Sequence, residues 1–141
     1  MSEAESLYGE EHVRRYRKTG GEVGHRWKRG SKILLLTTRG RKSGEQRTTP
    51  LIYEEDGDRY VIVASKGGAP EHPGWYRNLE QEPNVELQVR DEVFPARART
   101  AEGEERERLW QVVNRQWPDY DSYQTKTDRE IPVVVLERAP G

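Results

Sequence analysis

The sequence predicts an α+β fold in which six mainly antiparallel strands form a barrel or half-barrel with peripheral helices. A length of 141 residues suits a single domain. Short apolar runs are joined by hairpin turns, and the strand–helix–strand alternation of a parallel Rossmann sheet is missing. Hydrophobic residues make up 32% of the chain and charged residues 35%. We therefore expect a small core that a bound cofactor or a second subunit helps to complete.

The first predicted element is a polar, basic helix from about Ser6 to Lys18, ended by Gly20-Gly21. Its apolar face is thin, because it consists of Leu7, Val13 and Tyr16. We expect this helix to be peripheral. Together with the linker that follows it, it forms an N-terminal segment (1–30) ahead of a barrel domain (31–141).

Three strands come next. The apolar run 32–38 predicts a strand that is buried on both faces. A turn-rich basic loop, Gly40–Gly44, separates it from a second strand at 46–55. The third strand, 59–65, returns after Asp56-Gly57, a strong hairpin signal.

The second half alternates helices with a further hairpin. A Gly- and Pro-rich loop (66–73) leads into a helix that begins near Pro73 and ends before Pro83. Alternating apolar residues predict a hairpin with strands at 84–90 and 93–100. An amphipathic helix at 102–117, a polar loop containing tyrosines and a last buried strand at 131–136 complete the chain.

Several classes of chemistry are excluded by composition. The chain has no cysteine, which excludes disulfides and thiolate chemistry. Its three histidines, His12, His25 and His72, do not have metal-ligand spacing. The polar N-terminus and the lack of an apolar run approaching the roughly 18 residues of a membrane span predict a cytoplasmic protein.

Charge is distributed unevenly along the chain. Residues 1–50 carry twelve Lys/Arg and six Asp/Glu, a net charge of +6, whereas residues 51–141 carry twelve and nineteen, a net charge of −7. This asymmetry indicates that an anion binds near the first third: a phosphate, a nucleic acid or a membrane surface. Nucleic acid is disfavoured because the basic residues are not interleaved with aromatic ones and the acidic remainder would repel a phosphate backbone.

A first candidate site is the segment from Gly40 to Pro50. Arg41, Lys42 and Arg47 place three cations within seven residues, and the glycines allow backbone N–H groups to approach a ligand closely. This combination suits a phosphate, although the spacing is not that of a Walker motif. A solvated hairpin tip explains the pattern equally well.

A second candidate site spans 64–76, where a buried strand leads through a Gly-Gly loop to a helix N-terminus, a geometry that favours anions. Ser65 offers a hydroxyl and Lys66 a positive charge. Trp75 could stack on a flat ring, or could simply belong to the core. Because the two candidate sites flank the same hairpin, we expect them to meet at one end of it.

A third candidate site is the segment 117–123, in which Tyr120 and Tyr123 could line a pocket or donate a proton, or could cap the barrel end. No Ser-His-Asp arrangement or metal cluster stands out. Any redox chemistry would therefore have to be supplied by a cofactor.

Several motifs resemble the deazaflavin-dependent nitroreductases of actinobacteria. They are 35–44 (LLTTRGRKSG), Arg47 with Pro50-Leu51, 64–68 (ASKGG), 73–79 (PGWYRNL), 117–124 (WPDYDSYQ) and 127–135 (TDREIPVVV). The resemblance covers the chain from about residue 30 to its end. It implies a split β-barrel, related to FMN-binding flavin reductases, and the coenzyme F-420, which in its reduced form donates a hydride to quinone and nitroaromatic acceptors.

The resemblance also implies roles for individual residues. Lys42 and Arg47 match contacts to the phosphate and acidic tail of the coenzyme. Further cofactor positions are Thr48, Thr49, Pro50, Ala64, Ser65, Lys66, Gly67, Gly68, Pro73, Trp75 and Asn78. Acceptor-pocket positions are Trp117, Tyr120, Ser65 and Tyr123, of which Tyr120, Ser65 and Tyr123 are the catalytic candidates. The family's best-known member has Tyr in place of Trp117, which favours quinone reduction over nitro-prodrug activation.

Two alternatives belong to other classes. One is a split-barrel oxidoreductase that uses FMN, because a basic loop holds either phosphate. The other is a non-catalytic binding protein for an anionic small molecule. A homodimer and weak contact of the N-terminal helix with the inner face of the membrane are also expected from the lean core and the basic helix.

Overall fold

The computed structural model describes residues 9–139 as one antiparallel sheet with four helices. The helices are α1 (Gly9–Thr19), α2 (Gly74–Gln81), α3 (Gly103–Gln116) and α4 (Asp119–Thr125). The strands are β1 (Ile33–Arg39), β2 (Gln46–Ile52), β3 (Glu54–Asp56), β4 (Arg59–Val63), β5 (Asn84–Val89), β6 (Glu92–Thr100) and β7 (Val133–Arg138). Short 3-10 turns lie at Lys28–Gly30 and Lys66–Gly68.

The strand order in the sheet is β2-β1-β5-β6-β7-β4-β3, and every neighbouring pair is antiparallel. The sheet curls into a half-barrel, so that β2 also contacts β4. The predicted α+β class with an antiparallel barrel is therefore confirmed. The division into 1–30 and 31–141 stays a prediction.

The strand count differs because the predicted strand 46–55 is divided at Tyr53. β2 pairs with β1, whereas β3 pairs with β4. At the corner between them Tyr53 is buried, and its N–H donates to the carbonyl of Lys32 at 3.0 Å. The chain thus changes partner at Tyr53, which gives seven strands where six were predicted.

Helix α1 lies at the edge of the fold, as predicted, and is nevertheless packed firmly against the sheet. Tyr16 is fully buried; its hydroxyl donates to the carbonyl of Ile33 at 2.9 Å and accepts the N–H of Arg90 at 2.7 Å. Burial raises the pKa of Tyr16 to about 12. One hydrogen-bonded tyrosine anchors the helix where a wide apolar face is missing. Ser6 and Leu7 lie outside the described residues.

The polar segment after Pro118 is helix α4, where a loop was predicted. Asp121 joins it to α3, because its carboxylate accepts hydrogen bonds from Trp110 Nε1 at 2.7 Å and Asn114 Nδ2 at 2.8 Å. Asp119 and Asp121 also lie in the first turn, where negative charge is favourable. The segment is polar and lacks the apolar pattern that predicts a helix, because this helix is held by tertiary hydrogen bonds.

The core lies on both faces of the sheet. Leu34 and Leu36 belong to the cluster on one face, whereas Ile33 and Leu35 pack on the other face with Tyr16. All four are at most 2% exposed, which confirms the predicted strand buried on both sides. Helix α3 and α4 cover the cluster around Val133 and Val135. Within residues 9–139, no helix is long and apolar enough to span a bilayer.

His25 generates a prediction for stability against pH. Its Nε2 lies 2.8 Å from the Tyr53 hydroxyl, and burial, followed by the charges of Arg90, Arg26 and Lys32, lowers its pKa from 6.5 to about 4. Because the unfolded chain binds this proton at higher pH, the contribution of neutral His25 is complete above pH 6.5 and is lost as pH falls to 4.

We expect the free energy of unfolding of His25→Gln, measured by urea titration at several pH values, to fall less steeply than that of the wild type between pH 6.5 and 4. Parallel curves for the two proteins would contradict the assignment.

Candidate active site

A cavity of about 460 Å³ lies between β2, the segment after β4, the start of α2 and helix α4. Its walls are mainly apolar and aromatic. Ten residues predicted from the sequence line it: Thr49, Pro50, Ser65, Lys66, Gly67, Pro73, Trp75, Trp117, Tyr120 and Tyr123. The second and third candidate sites therefore meet in one place.

A second cavity, of about 310 Å³, is built by the loop after β1 and the first turn of α2. Lys42, Arg47 and Asn78 line it, and it shares Thr49 and Trp75 with the first cavity. None of the described residues that line it is a carboxylate. The predicted phosphate loop thus adjoins the aromatic cavity, as expected for neighbouring parts of one site.

The cations of the second cavity differ in their partners. Arg41 is fixed by Asn78, whose Oδ1 accepts from Arg41 N at 3.2 Å and from Nη1 at 3.0 Å. The Asn78 amide in turn donates to Thr38 at 3.2 Å, so Asn78 orients Arg41. The side chains of Lys42 and Arg47 form no hydrogen bond or ion pair with any of residues 9–139. Both are therefore available to an anion.

The turn Lys66–Gly68 forms one rim of the aromatic cavity. Its residues have left-handed φ angles of +46° at Lys66, +64° at Gly67 and +85° at Gly68. The reversal begins directly after β4 and carries the chain towards α2. Ser65, which precedes it, lines the cavity, and its hydroxyl has no partner in the described part of the chain.

Helix α4, which packs against this turn, forms another part of the wall. Tyr120 is 5% exposed, and its hydroxyl makes no hydrogen bond to residues 9–139. Burial raises the pKa of Tyr120, so the phenol keeps its proton and can donate a hydrogen bond. The Tyr123 hydroxyl accepts from Trp117 Nε1 at 3.4 Å. Among the described residues, Ser65 and Tyr120 therefore both offer the cavity a hydroxyl group without a partner.

Three predicted cofactor residues are not among the lining residues of either cavity. Thr48 is hydrogen-bonded to Thr37 and Arg17, each at 2.8 Å. Ala64 is fully buried in the core. Gly68 faces α4: a Cβ on it would lie 2.6 Å from the Tyr123 carbonyl oxygen. These residues support the walls, and a direct contact with a cofactor stays a prediction.

Two aromatic lining residues were missed by sequence reasoning. Trp27 stacks on Trp117 with ring centroids 6.0 Å apart and an interplanar angle of 15°. His12 lines the cavity from α1, with Nε2 at 2.8 Å from the Gly24 carbonyl. A tryptophan in an otherwise polar linker was the only available signal for Trp27, and none existed for His12.

The two cavities together define a class of protein. An aromatic slot with free hydroxyl donors, joined to a carboxylate-free cationic cavity, fits a ligand with a planar ring and an anionic tail. Carried on a curled antiparallel sheet, this is the arrangement of a split-barrel protein that binds a flavin-like cofactor.

The family model described as F420H(2)-dependent quinone reductase matches residues 8–138. The chain belongs to this family. An F420H(2)-dependent quinone reductase of Mycobacterium tuberculosis strain H37Rv is 48% identical over 126 residues, covering 87% of this chain and 85% of that protein.

Solved structures agree with this membership. The structure of an F420-H2 dependent reductase, FDR-A, matches with a TM-score of 0.69 and 50% identity over 74% of this chain and 93% of that one. A second, described as a domain-swapped dimer, matches with a TM-score of 0.73 and 44% identity over 89% and 92%. The predicted family, the split-barrel fold and the coenzyme F-420 are thereby confirmed, and the chain is an F-420-dependent reductase.

Gly68 and Gly67 provide a matched pair of substitutions for the packing of the turn on α4. Both have positive φ, but only Gly68 would bring a Cβ against backbone; at Gly67 nothing lies within 4 Å. We expect Gly68→Ala to lower the free energy of unfolding by about 2 kcal/mol or more and Gly67→Ala by about 1 kcal/mol. Urea unfolding measures both, and equal losses would show that the turn and α4 are not in close contact.

Proposed function

We propose that the protein transfers a hydride from reduced coenzyme F-420 to a quinone, with the coenzyme held across both cavities. One observation carries this proposal. The cations Lys42 and Arg47 lie at one end of a continuous site and the hydroxyls of Ser65 and Tyr120 at the other, and none of these groups has a partner within residues 9–139. The relatives named as quinone reductases support it.

The cationic cavity would hold the phosphate and acidic tail. Lys42 and Arg47 have no partners among residues 9–139 that a ligand would have to displace, and Asn78 holds Arg41 beside them. Thr49, Pro50 and Trp75 would lie along the planar ring, because they line the aromatic cavity on the side nearest the cations. The residues present therefore fit an anionic cofactor with a flat ring.

The bound coenzyme supplies two electrons as a hydride, and the chain must orient the acceptor and stabilise the charge that develops on it. Negative charge grows on the acceptor oxygen, where a neutral phenol or hydroxyl donor is stabilising. Tyr120 keeps its proton because of its burial, and Ser65 lines the same cavity. Trp117 and Tyr123 provide aromatic surface against which a planar acceptor can stack.

Trp117 favours a quinone over a nitroaromatic acceptor. Its indole is 8% exposed and is fixed between Trp27, on which it stacks, and Tyr123, to which it donates. A fixed indole leaves less room beside Tyr120 than a tyrosine would. Nitroaromatic reduction is therefore expected to be the weaker activity.

The cellular setting is also part of the proposal. We place the protein in the cytoplasm, on account of its polar composition. A homodimer is proposed because a relative's solved structure is described as a domain-swapped dimer. Contact of α1 with the membrane stays a prediction. Tyr16 of this helix is buried against the sheet, so such a contact would have to use other residues of the helix.

The experiment that tests the function is a titration of the purified protein with oxidised F-420, and in parallel with FMN, followed by fluorescence. Saturable binding of F-420 but not FMN, together with oxidation of reduced F-420 by menadione, is the expected result. Binding without turnover would indicate a non-catalytic carrier. A preference for FMN would indicate a split-barrel oxidoreductase that uses FMN and would contradict the proposed cofactor.

The salt dependence of binding tests the cationic cavity. Lys42→Ala and Arg47→Ala should each weaken F-420 binding, and the loss should be larger at low ionic strength, where the charges are less screened. Arg97→Ala is the control, because Arg97 is exposed on β6 and lines neither cavity. If all three variants bind F-420 like the wild type at both salt concentrations, the phosphate site lies elsewhere.

Tyr120→Phe tests the hydroxyl donor. Removing it should lower kcat with menadione roughly tenfold or more, with little change in the Kd for F-420. Tyr76→Phe is the matched control, since Tyr76 is a buried tyrosine whose hydroxyl bonds to Thr100, outside both cavities. A variant with normal kcat and weakened coenzyme binding would assign Tyr120 to the coenzyme instead.

A further inference from the structure

Arg129 is a half-buried arginine that neither cavity includes among its lining residues. Its guanidinium nevertheless reaches back about 60 positions to the segment that forms the rim of the aromatic cavity. Nε donates to the carbonyl of Ala69 at 2.9 Å, Nη2 to that of Ser65 at 2.7 Å, and Nη1 to that of Ala64 at 3.2 Å. The guanidinium thus holds both ends of the turn Lys66–Gly68.

The same guanidinium fixes one side chain beyond the turn. Nη1 of Arg129 lies 3.0 Å from Nδ1 of His72, which must accept this bond because the guanidinium is a pure donor. Burial and the Arg129 charge lower the pKa of His72. His72 therefore stays neutral, with its proton on Nε2, and the loop is held as far as residue 72.

No carboxylate competes for Arg129. Within residues 9–139 it forms no ion pair, and its partners are three carbonyl oxygens and a neutral imidazole. An ion-paired arginine would be oriented by its carboxylate, whereas this one is oriented by the backbone and His72 of the 64–72 segment. Without this guanidinium the carbonyl groups of Ala64 and Ala69 would lose a donor in a half-buried site, which is unfavourable, whereas that of Ser65 would keep the N–H of Gly68.

The backbone of Arg129 is itself joined to helix α4. Gln124, in the last turn of α4, donates from Nε2 to the carbonyl of Arg129 at 2.8 Å and accepts the N–H of Ile131 at 2.9 Å. Tyr120 and Tyr123 stand on the same helix. Arg129 consequently connects two parts of the cavity wall, the rim that carries Ser65 and the helix that carries Tyr120.

We propose that Arg129 is a positioning residue: it holds the 64–72 segment in its left-handed turn and sets the spacing between Ser65 and Tyr120. It acts through the loop and does not touch the reacting atoms. The expected effect of Arg129 on catalysis rests on the proposed function. Its effect on the conformation of the 64–72 segment does not, and can be measured on the protein without coenzyme or substrate.

The geometry requires arginine rather than any cation. Three nitrogen atoms of one planar group reach three carbonyl groups in different directions, which a single ammonium cannot reproduce. Arg129→Lys keeps the positive charge but loses the planar group with three donor nitrogens, whereas Arg129→Gln loses both the charge and the guanidinium. Comparing them separates positioning from a purely electrostatic effect.

Hydrogen exchange of backbone amides, measured without coenzyme, tests the proposal directly. The amides of Gly68 and Ala69 are protected by bonds to Ser65 and Lys66 at 2.9 and 3.1 Å, so opening of the turn is observable. We expect faster exchange of peptides covering 64–72 in both Arg129→Lys and Arg129→Gln, and unchanged exchange in β1. Arg106→Gln is the matched control: Arg106 is also half-buried and donates to a backbone carbonyl, that of Ile131 at 2.8 Å.

A second readout separates the role of Arg129 from simple destabilisation. In both Arg129 variants kcat with menadione should fall by roughly tenfold or more, while Arg106→Gln retains kcat at an equal or larger loss of thermal stability. Exchange of 64–72 at the wild-type rate in both Arg129 variants would overturn the proposal. Failure of wild-type protein to bind F-420 would overturn the proposed function instead, and the exchange result would still decide the role of Arg129.

Discussion

The site depends on how closely the turn Lys66–Gly68 approaches helix α4. The ideal Cβ position on Gly68 lies 2.6 Å from the Tyr123 carbonyl oxygen, so only glycine permits this separation. The approach holds α4 against the rim, and both elements line the same cavity, with Tyr120 on α4 and Ser65 at the rim. A looser contact would widen the cavity and separate the two hydroxyl groups that the proposed reaction needs. The position of the catalytic candidates is therefore set by backbone packing before any side chain is considered.

Charge is organised around the same constraint. The chain is almost neutral, at −1, yet its cations and anions are segregated along the sequence. Many of the acidic side chains pair with arginines away from the cavities, as Asp56 does with Arg59 and Arg108, an arrangement that lowers the pKa of Asp56 to about 2. Lys42 and Arg47 are left without such partners in the described residues. Their potential is therefore available to an anionic ligand.

Local patterns predicted most of the fold, and tertiary contacts explain what they missed. Alternation, apolar runs and the Asp56-Gly57 turn located the strands, because these signals lie within a few residues of each other. The packing of α1 could not be predicted, since it depends on one tyrosine that bonds to Ile33 and Arg90. Helix α4 was not predicted because it too is held by tertiary contacts, the hydrogen bonds of Asp121 to Trp110 and Asn114. At the site, the cations and hydroxyls were found from motifs and resemblance, whereas His12 and Arg129 act through contacts distant in sequence.

The two ends of the site stand on different elements, so binding and turnover should be separable. Lys42 follows β1 and Arg47 lies at the start of β2, whereas Tyr120 and Tyr123 lie on α4. Among the described residues, only Thr49 and Trp75 line both cavities. If the proposed roles hold, a substitution at the cationic end should change the affinity for the anionic tail without moving the acceptor wall. A substitution on α4 should change the stabilisation of charge on the acceptor without changing the tail contacts. Arg129 differs from both groups because it sets the distance between two walls, and its loss should lower turnover while leaving the cationic end intact.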